Sequence, residues 1–277
     1  MSTVDDIHLS AASRANLLSL QNTTKLIGRT QERLATGQKV NSALDDAAAF
    51  FQAQGLTNRA SDLSRTKDGI DQAIQTLKAT IDGIDSATQI VEQLQGLAQS
   101  AKSASTAADR SQLANQAELL AVQLNNLIND SSYNGINLIK ATPDNLQVNF
   151  NEDATVELTI VGINLTAANL GADISTATNN WGTSGDVNAD LDEYASALGQ
   201  LRTAASTIGS QNTLLQTRLD FVNNIVNTLS EGSDKLTLAD TNEEGANLLA
   251  LQTRQQLGIN SLSLAAQSEQ AILTLFR

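Results

Sequence analysis

From Leu191 to Leu236 the apolar residues recur at steps of three and four: Leu191, Tyr194, Leu198, Leu201, Ala205, Ile208, Leu215, Leu219, Val222, Val226, Leu229 and Leu236. No proline or glycine pair interrupts the run, so the spacing predicts one long helix whose apolar stripe needs a partner. Asn212 and Ser233 stand where the repeat would place apolar residues. An amide buried in a coiled seam fixes register, because a slipped pairing strands its polar atoms against hydrocarbon at a cost of about 1–3 kcal/mol. The plainer reading turns Asn212 to the edge of the bundle.

A second stripe, Ile70, Ile74, Leu77, Ile81, Ile84, Val91, Leu94, Ala98 and Ala101, predicts another long helix starting near Asp45. A polar break then holds Thr106 and Asp109 at capping-box spacing. After it Leu113, Ala117, Leu120, Leu124 and Leu127 predict a helix ending near Asn129. The two ends are weaker. A helix from about Asp5 to Ala35, opened by a Thr3–Asp6 box, carries Leu17, Leu20, Ile27 and Leu34 with Thr24 and Gln31 in the seam. A last helix, opened by Asp240–Glu243 or Thr241–Glu244, carries Leu248, Leu251, Leu262, Ala265, Ile272 and Phe276, interrupted by Gln255, Gly258 and Glu269. Dilute stripes make marginal helices, which order when something packs on them.

Between Arg33 and Ala49 the pattern reads as a hinge. Gly37 suits the left-handed position that ends a helix, and Ser42 with Asp45 has the spacing of a box that starts the next. Asp45 and Asp46 read as a solvated, dipole-complementing first turn in preference to a metal site, because no further ligands cluster near them. At Leu146, Val148 and Phe150, and again at Val156, Leu158 and Ile160, the period drops to two around the turn residues Asn151-Glu152-Asp153, which predicts a β-hairpin. Residues 164–186, rich in Asn, Thr, Ala and Gly around Trp181, read as surface loop. The expected fold is mainly α: a long antiparallel coiled-coil bundle with a small β-hairpin insertion and paired N- and C-terminal helices. Its expected segments are 1–42, 43–140, 141–186, 187–238 and 239–277.

Composition narrows the function. Aromatic residues make up 3% of the chain and Pro143 is its one proline, which favours long helices over a core built on aromatic packing. A net charge of -13 without a basic stripe argues against nucleic acid. Cysteine is absent, which removes disulfides and thiolate metal sites. No apolar run is long enough to cross a membrane, and the first residues lack a signal-peptide pattern; by that test alone the protein reads as cytoplasmic. His8 is the one histidine, and no nucleophile–base pair, phosphate loop or zinc spacing accompanies it, so neither an enzyme nor a cofactor is expected. A soluble helical adaptor or chaperone and a self-assembling filament protein fit the stripes equally.

The segment from Arg33-Leu34-Ala35-Thr36-Gly37 through Val40-Asn41-Ser42-Ala43-Leu44-Asp45-Asp46-Ala47-Ala48 resembles the signature of bacterial flagellin. The resemblance continues in Lys67-Asp68-Gly69-Ile70, Tyr133-Asn134-Gly135-Ile136-Asn137-Leu138, Ile208-Gly209-Ser210-Gln211-Asn212 and the C-terminal Ile272-Leu273-Thr274-Leu275-Phe276-Arg277. It departs from the usual pattern at Leu44, Ala49 and Ala266. The resemblance implies a structural subunit that self-assembles into the helical flagellar filament, with the hook–filament junction protein of the same family as the alternative. It implies that Arg33, Leu34, Gly37, Asn41, Asp45 and Asp46 form an assembly and hinge motif. It places Leu17, Leu20, Ile27, Leu262, Ile272, Leu275 and Phe276 at the filament core, and it makes residues 141–186 a minimal outward insertion. The implied partners are further copies of the chain, hook-associated junction and cap proteins, and the export apparatus with its chaperone. The implied location is outside the cell, which reverses the cytoplasmic reading.

Overall fold

The computed structural model describes residues 11–153 and 155–275, apart from the side chains at 269 and 272–275. Among the described residues the elements run α1 (Ala11–Thr36), α2 (Ala47–Ser103), α3 (Ala107–Asp130), β1 (Leu146–Asn149), β2 (Glu157–Ile160), a 3-10 turn (Thr178–Trp181), α4 (Ser184–Thr237) and α5 (Thr241–Leu275). The mainly helical fold with a hairpin insertion is therefore present. The Thr3–Asp6 box, His8 and Phe276 lie outside the described residues. Two compact units divide the chain: residues up to Asn58 together with Leu229 onward, and Arg59–Thr228.

Helix starts obey capping chemistry, with one displacement. Thr106 Oγ1 accepts from the Asp109 amide at 3.1 Å and opens α3, and Asp240 Oδ1 accepts from the amides of Asn242 and Glu243 at 2.9 and 3.2 Å to open α5. Ser42 does not open α2 as expected. The Asp45 carboxylate folds back onto the amides of Asn41 and Ser42, at 3.2 and 3.1 Å, and closes a turn before the helix. The helix begins after Asp46, whose Oδ1 accepts from the Ala49 amide at 3.0 Å.

In the Arg59–Thr228 unit the buried stripes are richer in small residues than the leucine pattern implies. On α3 the buried positions are Ala114, Ala117, Ala121, Leu124 and Ile128, while Leu113, Leu120 and Leu127 are half-buried at the stripe's edge. On α2, Ile70, Leu77, Ile84, Val91 and Leu94 are buried as expected, but Ile74 and Ile81 are half-buried and Ala73, Thr76, Thr80 and Ala87 take the centre. A straight helix of 3.6 residues per turn drifts against a 3.5-residue repeat and brings these neighbours inward. Threonine is tolerated there because its hydroxyl is used locally: Thr76 donates to the Gln72 carbonyl at 3.0 Å and Thr80 to that of Thr76 at 2.9 Å. The same bond recurs on the exposed side of α4, where Thr203, Thr207, Thr213 and Thr217 donate to the carbonyls of Gly199, Thr203, Gly209 and Thr213 at 2.9–3.1 Å.

The hairpin pairs Leu146 with Ile160 and Val148 with Leu158 in antiparallel register, with Leu146, Val148 and Ile160 buried. Asn137 ties the end of α3 to the segment that leads into β1. Its amide nitrogen donates to the carbonyls of Ile128 and Asn129 at 2.7 and 3.1 Å, and its oxygen accepts from the amides of Ile139 and Lys140 at 2.9 and 3.1 Å, so a buried polar side chain is fully used.

Residues 164–186 are not a surface loop. Leu165, Ala167, Leu170, Ile174 and Ala177 are buried, and Trp181 is fully so. The backbone of Asn179, Asn180 and Trp181 takes positive φ angles of 49°, 49° and 53°, a conformation costing about 1–2 kcal/mol per non-glycine residue. Burial and hydrogen bonds offset that cost. The indole Nε1 donates to the Asp190 carboxylate at 2.6 Å, and Arg110 clamps the turn through Nε to the Trp181 carbonyl at 3.1 Å and Nη2 to that of Gly182 at 2.8 Å. The composition suggests a loop because Asn, Thr and Gly dominate it, yet its leucines, its isoleucine and its tryptophan all turn inward.

Two measurements check this packing. Trp181→Ala should lower the stability of the unit by about 3–5 kcal/mol in thermal unfolding followed by circular dichroism, whereas a surface-loop residue would change it by roughly 0.5 kcal/mol at most. Glu193 is half-buried, and burial first, then the Asp190 and Asp173 carboxylates, push its carboxyl above the ordinary 4.5. The folded state then holds this proton to higher pH than the unfolded chain does, so the ionised group opposes folding at neutral pH and ceases to do so below 4.5. Glu193→Gln should raise the melting temperature at about pH 7 and leave it unchanged at about pH 4; an equal gain at both would assign the effect to something other than ionisation.

Candidate assembly surface

In the unit formed by residues up to Asn58 and from Leu229, α1 and α5 run antiparallel in close contact. Asn16 reaches Ser261 (3.5 Å), Gln255 reaches Thr24 (3.4 Å) and Arg33 reaches Glu244 (2.7 Å), so the partner number falls as the α1 number rises. The seam on α1 is Ser13, Thr23, Ile27 and Thr30, which are buried, flanked by half-buried Leu17, Leu20 and Leu34. Thr24 and Gln31, the expected seam positions, are exposed. On α5 the inward positions are Glu244, Leu248, Leu251, Gln255, Gly258, Leu262 and Ala265, an unbroken alternation of four and three. Gly258 is therefore part of the seam: a Cβ there would stand 2.6 Å from Leu20 Cδ1, so a larger residue would require the tip of the leucine to shift.

The segment between α1 and α2 is held by backbone bonds. Gly37, at φ +70°, ends α1 with its amide on the Arg33 carbonyl at 2.8 Å. The chain then pairs with the end of α4: the Lys39 amide donates to the Thr237 carbonyl at 2.7 Å and the Ala239 amide to that of Gly37 at 2.9 Å. Ser233, the second gap in the α4 stripe, is buried and donates to the Ala53 carbonyl at 3.2 Å, 2.9 Å from Thr57 Oγ1. Its polarity thus joins α4 to the start of α2. Arg33 is half-buried in its ion pair with Glu244, Leu34 is half-buried, and Asn41, Asp45 and Asp46 are exposed. The Asn41 amide leads the hydrogen bonds that hold the Asp45 carboxyl below the ordinary 3.8. No group of three or more metal-ligating residues occurs among the described residues.

Of the residues assigned to the filament core, Ile27 is buried and Leu17, Leu20 and Leu262 are half-buried in the α1–α5 seam. The side chains of Ile272, Leu275 and Phe276 lie outside the described residues. What the stripe analysis misses is a second apolar face: Leu18, Leu26, Leu249, Leu257, Ile259 and Leu264 stand 45–68% exposed on the same two helices. The signal is present in α5, whose apolar residues surround it, as expected of a helix covered on all sides. Asn212 lies elsewhere, on α4 in the Arg59–Thr228 unit. It is half-buried, and its Oδ1 and the Oε1 of neighbouring Gln211 are buried without a hydrogen-bond partner.

Comparison with known proteins shows the family of the chain. The profile of the bacterial flagellin N-terminal helical region matches residues 7–143, and that of the C-terminal helical region matches 191–276. The chain is 28% identical over 276 residues to flagellin FljM of Caulobacter vibrioides, covering 99% of both chains. It is 27% identical over 269 residues to a flagellin of Brucella melitensis, covering 94% of this chain and 95% of that one. A solved structure titled as a flagellar hook-associated protein of Vibrio parahaemolyticus superposes with a TM-score of 0.57 over 70% of this chain and all of that one; at 15% identity this likeness concerns the fold alone. With the two family profiles spanning most of its length, the chain belongs to the bacterial flagellins, the structural subunits that assemble into the helical flagellar filament.

Proposed function

We propose that the α1–α5 pair is the surface through which copies of this chain polymerise, and that the Arg33–Asp46 segment is the hinge that carries it. The observation behind this reading is the uncovered apolar face, to which Leu249, Leu257 and Leu264 contribute at 64–68% exposure. Apolar area of this kind on a charged, acidic protein is stabilised by burial at about 25 cal/mol per Å² once a neighbour covers it. Contacts of this kind between unlike patches do not close on themselves, and repetition gives an open helical filament. In this proposal Leu17, Leu20, Ile27 and Leu262 hold the pair together, Ile272, Leu275 and Phe276 take part in the filament core as the family resemblance implies, and the exposed leucines meet the next copy. The further reading, by family, is that the chain leaves the cell through the flagellar export apparatus with a chaperone. It then adds beyond junction proteins and beneath a cap.

Leu257→Asp and Leu264→Asp test the surface. Both side chains are exposed, so the helical signal of the free subunit should be retained, while a charge in the buried contact costs several kcal/mol per interface and should abolish filaments in electron micrographs. Filaments formed at the wild-type concentration would assign polymerisation to another face.

Asn212 tests register. Its amide oxygen is buried without a partner, so Asn212→Leu should stabilise the Arg59–Thr228 unit by about 1–3 kcal/mol in thermal unfolding. A register device should at the same time alter filament curvature or handedness. Lower stability with unchanged filament form would show that the amide serves packing only.

A further inference from the structure

The corner that follows α3 leaves one asparagine chemically unguarded. Asn134 and Gly135 form a two-residue turn between Tyr133 and Ile136, whose backbone amides and carbonyls pair in both directions at 3.0 Å. Their φ angles are +50° and +82°, the left-handed pairing that an Asn-Gly sequence adopts readily. Both residues are exposed, and a Cβ at Gly135 would meet nothing within 4 Å. The Asn134 side chain and the Gly135 amide form no hydrogen bond among the described residues. A carboxamide and the backbone nitrogen that follows it are thus both free, with no side chain on Gly135 to screen one from the other.

Every other asparagine lacks the first of these conditions, since none is followed by glycine. Asn41 and Asn260 precede serine, but the Ser42 amide is held by the Asp45 carboxylate at 3.1 Å and Ser261 lies inside α5. Asn188, which precedes alanine, lies inside α4. Asn137, three residues beyond Asn134, has its whole side-chain amide engaged with backbone groups.

We propose that Asn134 is a site of spontaneous covalent modification, converting to isoaspartate and aspartate without an enzyme. The Gly135 nitrogen, its proton lost to a solvent base, attacks Asn134 Cγ. A new N–Cγ bond closes a five-membered imide, the Cγ–Nδ2 bond breaks, and Nδ2 takes up a proton and leaves as ammonia. Water then adds to one of the two imide carbonyls and reopens the ring. One opening gives aspartate; the other gives isoaspartate, in which the main chain runs through Cγ and is longer by one methylene. No oxidant or reductant takes part. Ring closure turns the Gly135 nitrogen towards Cγ by rotation about the Asn134 Cα–C bond, which the Tyr133–Ile136 pairing resists. An exposed corner of this kind opens at far lower free energy than a packed helix, so the pairing slows the attack without preventing it.

Each conversion adds one negative charge to a chain that already carries -13. Isoaspartate also lengthens a corner that runs directly into Asn137, the residue that ties the end of α3 to the segment before β1. The age of each copy is thereby written into its backbone.

Peptide mapping of the full-length protein, held for weeks at mildly alkaline pH, reads the reaction. The peptide containing residue 134 should gain about 1 Da as NH2 is replaced by OH, and it should accept methyl groups from a protein isoaspartate methyltransferase. Conversion there should be at least about tenfold faster than at any other asparagine of the folded chain. The rate should rise with pH, because the attacking nitrogen must lose its proton. Asn134→Gln removes the five-membered ring and should abolish both signals with circular dichroism unchanged. An Asn134 that stays intact, or that converts no faster than the asparagines inside α2 to α5, overturns the inference. Methyl acceptance that persists undiminished in Asn134→Gln overturns it as well. Should the glutamine variant not fold, the wild-type map decides alone.

Discussion

α5 carries apolar side chains on two faces, and α1 covers one of them. A helix in this condition can satisfy half of its circumference within its own chain, so the other half is either left against water or supplied with a neighbour. The make-up of the seam reflects this. The covered face is built with Thr23, Thr30, Gln255 and Gly258 as well as leucine and isoleucine, which lets the two backbones come close but buries little hydrocarbon per turn. The pair is thus specified in geometry more than in strength. A specified but weakly stabilised pair, with a leucine-rich outer face, suits an element whose stability comes from association.

The Arg59–Thr228 unit is built on the opposite plan. Its stripes are buried within the unit, and residues 164–186 run along α3, with the Ala167 amide on Asn125 and Arg110 on the Trp181 carbonyl, and bury Trp181 completely. Polar groups taken inside are mostly matched: Asn137 uses its whole amide, and the Trp181 indole and the Thr178 amide both donate to Asp190. The exceptions, Asp190 Oδ1 and the amide oxygens of Gln211 and Asn212, all sit on α4, the helix with the clearest repeat, which makes them informative as departures from an otherwise consistent design.

The long helices are legible because a three-four alternation over dozens of residues has few competing explanations, and the break between α1 and α2 is legible because Gly37 and the aspartates carry local chemistry. Elsewhere the pattern misleads for physical reasons. The α3 stripe is displaced by one residue from its leucines because small side chains are what allow helices to approach, and alanine takes the centre. Ser42 has the spacing of a helix start that belongs to Asp46, since both stand at capping distance from a suitable partner and only the direction of the Asp45 carboxylate decides between them. Residues 164–186 look like loop because composition averages over a segment, whereas burial selects Leu165, Leu170, Ile174 and Trp181 from among their polar neighbours. The outer apolar face of α1 and α5 is invisible to a search for a single stripe.

The threonines on the exposed side of α4 alter what that side offers to water. Each of Thr203, Thr207, Thr213 and Thr217 spends its hydroxyl hydrogen on a carbonyl of its own helix, and what projects outward beside each oxygen is a methyl group. A hydropathy scale counts these positions as polar, yet their capacity to donate to solvent is gone. Along this helix the wetted surface is therefore closer to that of valine than of serine. It should shed its hydration layer more readily than the letters of the sequence imply, wherever another surface slides against it.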